Sequence, residues 1–242
     1  WYVYNKYYHV MVRDYQKQLY VEHFMPSQKL RTQIELVSMP LDPEMVKYVK
    51  YILSRRASDI LVSLRAHPLV RTVERMMQEA AMKKKNSELK TIQRVLSDFK
   101  HLRFNPNSNQ QVATLLYEVM NLPVVSKTKS GGPSTDGDTL DKLINHPDKP
   151  EEKEVLKYLI EFSGVAKFLS AFIPPFEDAL AKNDGRVYLH GSFLMGGTLS
   201  GRLSCSEPNL QQIPSGSAYG KIIKECFSAP DGFLMAGADF NA

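Results

Sequence analysis

Cysteine and long apolar runs are scarce in this chain of 242 residues. The two cysteines, Cys205 and Cys226, are too few for a disulfide framework, and their spacing is not that of paired metal ligands. No stretch reaches the roughly 20 uninterrupted apolar residues of a membrane span. Residues 1–8 also lack the layout of a secretion signal. The sequence therefore predicts a cytoplasmic protein with no membrane partner.

Charge of one sign dominates only locally. The net charge is +5, which permits a polyanionic partner without requiring one. Between residues 83 and 103 the chain has seven basic residues against Glu88 and Asp98: Lys83, Lys84, Lys85, Lys90, Arg94, Lys100 and Arg103. Such a run is either a solvated helix face or a surface that follows phosphates.

Helix signals dominate the first two thirds of the chain. Residues 1–33 are rich in aromatic side chains and predict helix that packs on something upstream. Asp42 as N-cap and Pro43 after it start a further helix, and Pro68 divides the run into helices at 43–66 and 69–101. Asn107 or Ser108 is predicted to cap a short amphipathic helix, and a long one from Pro150 is predicted to end at the two prolines after Ile173.

Loop and strand signals dominate the remainder. "KTKSGGPST", residues 127–135, predicts an exposed tip whose ammonium groups, hydroxyls and backbone amides suit phosphate; a plain flexible loop is the alternative. "VYLHGSFLMGGTLSGR" predicts strands and tight turns, and "FLMAGADF" predicts a final strand. The order of elements indicates an α+β fold, with long helices first and an incomplete sheet last.

The polar segment "TLSGRLSCSEPNLQQIP", Thr198 to Pro214, has almost no helix or strand periodicity. Arg202 carries a planar fork of donors that suits a base edge or a phosphate. We expect the two prolines to hold the segment extended, which puts the amides of Asn209 and Gln211 on one side. Such a strip can line a groove, whereas the alternative is a structural loop whose polar side chains cap their neighbours.

Asp239 follows the apolar run "LMAGA" near the end of the chain. A carboxylate at the end of a rigid strand is a common way to hold a hard cation such as magnesium. It can equally be a cap or one half of a salt bridge, so the pattern alone leaves these roles open.

The Thr198 to Pro214 segment closely resembles the signature of family A DNA polymerases, T-x-T-G-R-L-S-S-x-x-P-N-L-Q-N-I-P. "YGKIIKECFSAPDGFLMAGADF" resembles the helix, turn and strand that lead to that family's first catalytic aspartate. Upstream, "FNPNSNQQVATLLYEVMNLP", the Lys-Ser-Thr loop and the helix through Lys167 resemble its thumb, in the same order. "IELVSMPLD" resembles the segment that enters the thumb. The resemblance covers about residues 30–242 and points to a phage-type member.

The resemblance implies roles for individual residues. Asp239 and the backbone carbonyl of Phe240 would be ligands of the paired magnesium ions. Arg202 would lie in the minor groove at the primer terminus, and Asn209 and Gln211 would contact the duplex. On the thumb, the residues that would touch DNA phosphates or groove are Lys127, Ser134, Thr135 and Lys167.

The resemblance also implies a domain order. The end of an exonuclease-like domain would occupy residues 1–33, a helical thumb 34–183, and the N-terminal part of the palm 184–242. The family's other catalytic residues would follow residue 242. We therefore expect either a piece of a DNA-directed DNA polymerase or one half of a split enzyme, completed by a second polypeptide that carries the fingers and the rest of the palm.

The expected partners are primer-template DNA and, in the complete enzyme, dNTPs and two Mg²⁺ ions. One alternative is a non-catalytic DNA-binding module on a polymerase scaffold. A more remote alternative is a helical RNA-binding or scaffold protein, for which the resemblance of the Thr198 to Pro214 segment would be a coincidence.

Overall fold

The computed structural model describes residues 1–89, 93–181, 187–213 and 218–238. The chain divides into two compact units. Trp1–Val49 and Ala171–Ala242 form the first, here the strand unit, and Lys50–Ser170 form the second, here the helical unit. Long helices come first and short strands come late, which confirms the predicted α+β class.

The helices in chain order are α1 (Tyr2–Arg13), α2 (Lys17–Leu19, continued by a π-helical turn at Tyr20–Phe24), α3 (Met25–Val37), α4 (Pro43–Ala66), α5 (Pro68–Glu88), α6 (Asn109–Ala113, continued by a π-helical turn at Thr114–Val119), α7 (Gly137–Leu143), α8 (Pro150–Ala171), α9 (Ile173–Ala181) and α10 (Ala218–Lys224). The strands are β1 (Met39–Pro40), β2 (Tyr188–Leu189), β3 (Ser192–Leu194) and β4 (Ser204–Ser206). Short 3₁₀ turns cover Leu96–Phe99 and Leu210–Gln212.

The strand unit has two small antiparallel sheets. In the first, β1 pairs with β2, with Met39 opposite Leu189. Just after β1, Asp42 caps α4 as predicted, because its Oδ1 accepts the backbone N–H groups of Glu44 and Met45 at 2.9 and 3.0 Å. In the second sheet β3 pairs with β4. By contrast, α1 has no buried residue within the described part of the chain.

The helical unit departs from the prediction after α5. Helix was predicted through residue 101, but α5 ends at Glu88 and the chain then runs back along it. Asn86 explains the return, because its side chain donates to the Arg94 carbonyl at 3.0 Å and accepts the Arg94 N–H at 2.6 Å. Gln78 donates to the Leu102 carbonyl at 3.1 Å. Side chains of α5 thus satisfy backbone groups that a continuous helix would have paired internally.

Phe104, which is 0% exposed, ends this returning segment. The carboxylate of Glu74 accepts the Phe104 N–H at 2.9 Å, and Nε of Arg65 donates to the Phe104 carbonyl at 3.1 Å. Glu74 is only 5% exposed, and it also receives Nη1 of Arg103 at 3.3 Å. A buried carboxylate with these partners holds the returning segment against α5.

The long helix from Pro150 ends just before the two prolines, as predicted, because α8 stops at Ala171. The helix that follows was not predicted: α9 starts at Ile173 and carries the prolines in its first turn, where no N–H is needed. One further prediction is wrong. The predicted final strand is not formed over residues 233–238, and Leu234 is 96% exposed. An isolated strand has no neighbour to pair with its backbone, so strand propensity alone does not form one.

One stretch, Pro150–Leu180, is long and apolar enough by composition to cross a membrane. The first part of it, α8, buries Val155, Leu156, Leu159 and further side chains inside the described protein. A core helix of a folded domain passes the same test of length and composition.

Replacing Glu74 with alanine is expected to lower the free energy of unfolding by about 2 kcal/mol, because the Phe104 N–H loses a charged acceptor in a buried site. Glu79 of the same helix pairs with Arg75 at the surface, so Glu79→Ala is the matched control and should cost below about 0.5 kcal/mol. Denaturant titration of both variants checks this. Equal losses would contradict the role assigned to Glu74.

Candidate nucleic-acid interface

Residues 198–206 of the polar segment lie on the hairpin made by β3 and β4, residues 192–206, here the motif hairpin. Ser192 faces Ser206 and Leu194 faces Ser204 across the pair. In the connecting loop, Oγ1 of Thr198 donates to the Arg202 carbonyl at 2.8 Å. The backbone of Arg202 is thereby held at the base of the loop, and its side chain is exposed.

The two amides beyond β4 do not form the predicted extended strip. Residues 210–212 are a 3₁₀ turn, and the Asn209 side chain accepts the backbone N–H of Gln211 at 3.1 Å. Asparagine commonly bonds the backbone two residues on in this way, and that bond competes with an extended conformation. Asn209 therefore caps its neighbour, as the structural-loop alternative proposed, while Gln211 is exposed.

Close packing at Gly191 joins the motif hairpin to this turn. A Cβ atom there would lie 2.8 Å from Sγ of Cys205 and 3.0 Å from Cδ1 of Leu210. Cys205 is buried, and its thiol donates to the Pro208 carbonyl at 3.4 Å. The relative position of Arg202 and Gln211 therefore depends on contacts that only glycine permits at residue 191.

The predicted tip in the helical unit is a short hairpin rather than a loop without regular structure. The backbones of Lys127 and Pro133 form an isolated antiparallel β-bridge, and the Thr128 N–H donates to the Gly132 carbonyl at 2.8 Å. Gly131 has φ of +86°, a conformation that glycine adopts without strain. Lys127 is exposed on one arm of this hairpin.

Ser134 lies inside the protein rather than at its surface. It is 5% exposed, its hydroxyl accepts the Asp136 N–H at 3.4 Å, and its carbonyl accepts the Tyr117 hydroxyl. Burial raises the pKa of Tyr117, as does the Asp136 carboxylate to a smaller extent. In this conformation Ser134 shapes the hairpin, and its predicted contact with DNA stays a prediction.

Thr135 and Lys167 line the same cleft of the helical unit, whose volume is about 820 Å³. Lys167 is exposed, as expected for a lysine on an apolar helix. Asp136 shares the cleft, caps α7 through the Thr139 N–H at 2.8 Å, and has its pKa lowered chiefly by hydrogen bonding to Thr139. The structure thus brings two of the predicted thumb contacts together beside a carboxylate.

A second cationic feature comes from the return of the chain along α5. We name residues 83–85 and 94–103 the basic hairpin, since the hydrogen bonds between Asn86 and Arg94 place positive charge on two neighbouring arms. Lys85 pairs with Glu88 at 3.2 Å and Arg94 approaches Asp98 at 3.9 Å. The lysines that remain exposed on it include Lys83, Lys84 and Lys100. The charge run was visible in the sequence, but its folding into two arms was not.

The predicted metal ligands Asp239 and Phe240 lie outside the described residues. Within residues 1–89, 93–181, 187–213 and 218–238 no group of three or more His, Cys, Asp or Glu side chains could hold a metal ion. Magnesium prefers several oxygen ligands in near-octahedral geometry. The described part of the chain therefore offers no site that fits the paired ions.

Replacing Gly191 with alanine should cost about 1 to 3 kcal/mol of unfolding free energy, because the added methyl group overlaps Cys205 and Leu210. Gly164→Ala is the control, since its Cβ would meet nothing within 4 Å in helix α8, and it should be neutral or stabilising by up to about 1 kcal/mol. Thermal unfolding of both variants, compared with wild type, measures these changes in stability. A Gly191→Ala chain as stable as wild type would rule out the close packing.

Residues 74–242 match the family model of DNA polymerase family A. The chain is 34% identical over 138 residues to DNA polymerase I of Caldicellulosiruptor bescii, covering 57% of this chain and 15% of that protein. It is 34% identical over 140 residues to the thermostable DNA polymerase I of Thermus aquaticus, covering 57% and 16%. The chain thus matches only about one sixth of the length of these relatives.

Among solved structures, the chain is similar to the POL domain of Pol1 from M. smegmatis in complex with DNA primer-template and dNTP. The TM-score is 0.68 at 20% identity, over 93% of this chain and 32% of that one, which shows a shared fold. Since the family match covers more than half of its residues, the chain belongs to DNA polymerase family A.

Proposed function

We propose that this chain is the thumb and the first part of the palm of a DNA-directed DNA polymerase and that it binds primer-template DNA. The observation that carries the proposal is the exposed Arg202 on the motif hairpin, within a region that matches family A. The similarity to a POL domain in complex with DNA primer-template and dNTP supports the same partner class.

The chemistry of Arg202 suits the end of a primer. Its guanidinium keeps its charge and offers several donors in a fixed plane. The minor groove presents nearly the same acceptors for every base pair, so a donor there can test pair geometry without reading sequence. Gln211, also exposed, is proposed to contact the same duplex.

The helical unit is proposed to hold the sugar-phosphate backbone. Lys127, Thr135 and Lys167 supply one group of contacts, and the exposed lysines of the basic hairpin supply another. Phosphate contacts of this kind fix a protein on the duplex independently of sequence. Ser134 joins them only if its hydroxyl becomes accessible, and Asn209 only through atoms that its cap leaves open.

The proposed domains are residues 1–33 as the end of an exonuclease-like domain, 34–183 as thumb and 184–242 as early palm. Helix α1, in the first of these domains, exposes aromatic side chains, which supports the proposal that another part of the protein packs on it. We propose the cytoplasm as its location, or the host cytoplasm for a phage-type member.

We further propose that this polypeptide alone does not extend a primer. Asp239 is the one carboxylate that the resemblance assigns to the metal site, and magnesium held by a single carboxylate keeps most of its waters. In the complete enzyme, Asp239 and the Phe240 carbonyl would help to hold two magnesium ions, which supply charge neutralisation for phosphoryl transfer. A second polypeptide with the fingers and the rest of the palm would complete the dNTP site.

Primer-template binding is expected to weaken steeply with salt, with a log-log slope of about 0.9 per phosphate neutralised. Reversing Lys83 and Lys84 to glutamate should reduce that slope by about 2, since both exposed ammonium groups are proposed phosphate contacts. Lys47→Glu, at an exposed lysine paired with Glu44, is the control and should leave the slope unchanged. Fluorescence anisotropy over a salt series measures all three. A flat salt response of wild type would exclude the proposed backbone contacts.

Arg202→Glu should remove the preference for a recessed primer end over a blunt duplex, because the proposed contact is at the terminus. Unfolding temperature should stay near that of wild type, since the Arg202 side chain is exposed. A variant that keeps the preference would favour generic basic binding, as in a helical RNA-binding or scaffold protein.

Primer extension separates the polymerase from a non-catalytic module. The purified 242-residue chain with magnesium and dNTPs should add no nucleotide, and mixing with a polypeptide that carries the missing palm and fingers should restore synthesis. Failure of the mixture would favour the DNA-binding module. Extension by the chain alone would refute its proposed dependence on a second polypeptide.

A further inference from the structure

Two side chains of helix α3 form hydrogen bonds with the backbone of Phe193 in the motif hairpin. Nη1 of Arg31 donates to the Phe193 carbonyl at 2.8 Å, and the Phe193 N–H donates to Oε1 of Glu35 at 2.8 Å. The two side chains also form an i,i+4 ion pair at 3.6 Å. All of these residues belong to the strand unit.

The pairing of β3 with β4 explains why both backbone groups of Phe193 point toward α3. Phe193 faces Cys205 across the β3–β4 pair. In an antiparallel ladder, facing residues alternate between pairs that exchange both hydrogen bonds and pairs whose backbone groups point away. Because both backbone groups of Phe193 reach α3, it belongs to the second kind. Arg31 and Glu35 therefore occupy the position that a further strand would take.

Partial burial strengthens the contacts of Arg31 and Glu35 with Phe193. The side chains of Arg31 and Glu35 are 24% and 27% exposed, so water competes less than at an open surface ion pair. Nε of Arg31 is buried without a hydrogen-bond partner among the described residues. A guanidinium left partly unsatisfied depends strongly on the acceptors it does reach, here Glu35 and the Phe193 carbonyl.

The C-terminal end of α3 also contacts the segment that precedes β3. The Ser38 hydroxyl donates to the Glu35 carbonyl at 2.7 Å and contacts Nδ1 of His190, which lies 3.0 Å from the same carbonyl. His190 directly precedes Gly191, the residue that packs on Cys205 and Leu210. Helix α3 is thus attached on both sides of the start of β3.

We propose that Arg31 and Glu35 are positioning residues that hold the motif hairpin so that Arg202 reaches the primer terminus. Arg202 lies two residues before β4, whose pairing with β3 transmits the position of Phe193 to it. The inference rests on the proposed function for its DNA-bound role. The two backbone hydrogen bonds hold the hairpin, and the ion pair between Arg31 and Glu35 only orients the two side chains.

The charge-swapped double variant Arg31→Glu/Glu35→Arg separates this role from a plain ion pair. It keeps an i,i+4 pair of opposite charges, but it puts an acceptor beside the Phe193 carbonyl and a donor beside the Phe193 N–H. Glu35→Gln does the reverse, because it removes the charge but keeps an oxygen that accepts the N–H. Arg13→Ala is the control, since Arg13 pairs with Asp14 at the surface of the same unit.

Two measurements are made on each 242-residue chain: hydrogen-deuterium exchange of the peptide covering residues 192–206, and the ratio of dissociation constants for recessed-primer and blunt DNA. Glu35→Ala and the swapped variant should exchange faster there and lose about tenfold in the ratio, the equivalent of one charged hydrogen bond. Glu35→Gln should stay within about twofold of wild type on both. Arg13→Ala should match wild type.

The outcomes distinguish the two proposals. If wild type shows no preference for recessed primers, the proposed function fails, and the positioning role at the primer falls with it. If wild type shows the preference and Glu35→Ala keeps both it and slow exchange, the positioning inference alone is overturned. A swapped variant that behaves as wild type also overturns it, because the ion pair would then suffice.

Discussion

Backbone groups that no neighbouring strand or helical turn pairs must find other partners, and in both units arginine and glutamate side chains on helices supply them. At Phe104, Glu74 takes the N–H and Arg65 reaches the carbonyl. At Phe193 the corresponding partners are Glu35 and Arg31. These contacts are charge-assisted, and they are strongest where burial limits competition from water. The segment that ends at Phe104 and the outer edge of the short strand β3 are thereby given fixed positions without a large sheet or a long helix.

Each of these fixed segments carries exposed positive charge. The segment ending at Phe104 forms one arm of the basic hairpin, and the segment containing Phe193 leads into the loop of Arg202. In the proposed function these cations contact phosphate and groove, and such contacts position DNA only if the protein groups are themselves ordered. The arginine and glutamate side chains that bind the backbone of Phe104 and Phe193 would supply that order at both sites.

Sequence reasoning succeeded where the determinants are local. The Asp42 cap and the break at Pro68 depend on neighbouring residues, and the polymerase resemblance depends on one continuous motif. It failed where partners are distant: α5 ends at Glu88 because Asn86 bonds Arg94, and no periodicity shows that contact. The final strand failed for want of a pairing partner. The pair of α3 was missed because an i,i+4 Arg and Glu looks like an ordinary surface ion pair.

In the proposed function, the loop of the motif hairpin meets the primer terminus. The most direct measurement is photo-crosslinking of the full chain to primer-template DNA whose primer carries a photoreactive 3′-terminal nucleotide, with the attachment site mapped by mass spectrometry. Crosslinks within residues 198–213 are predicted, with fewer when the photoreactive group is moved to the blunt end. Crosslinks confined to residues 83–103, or spread equally over the chain, would contradict the claim.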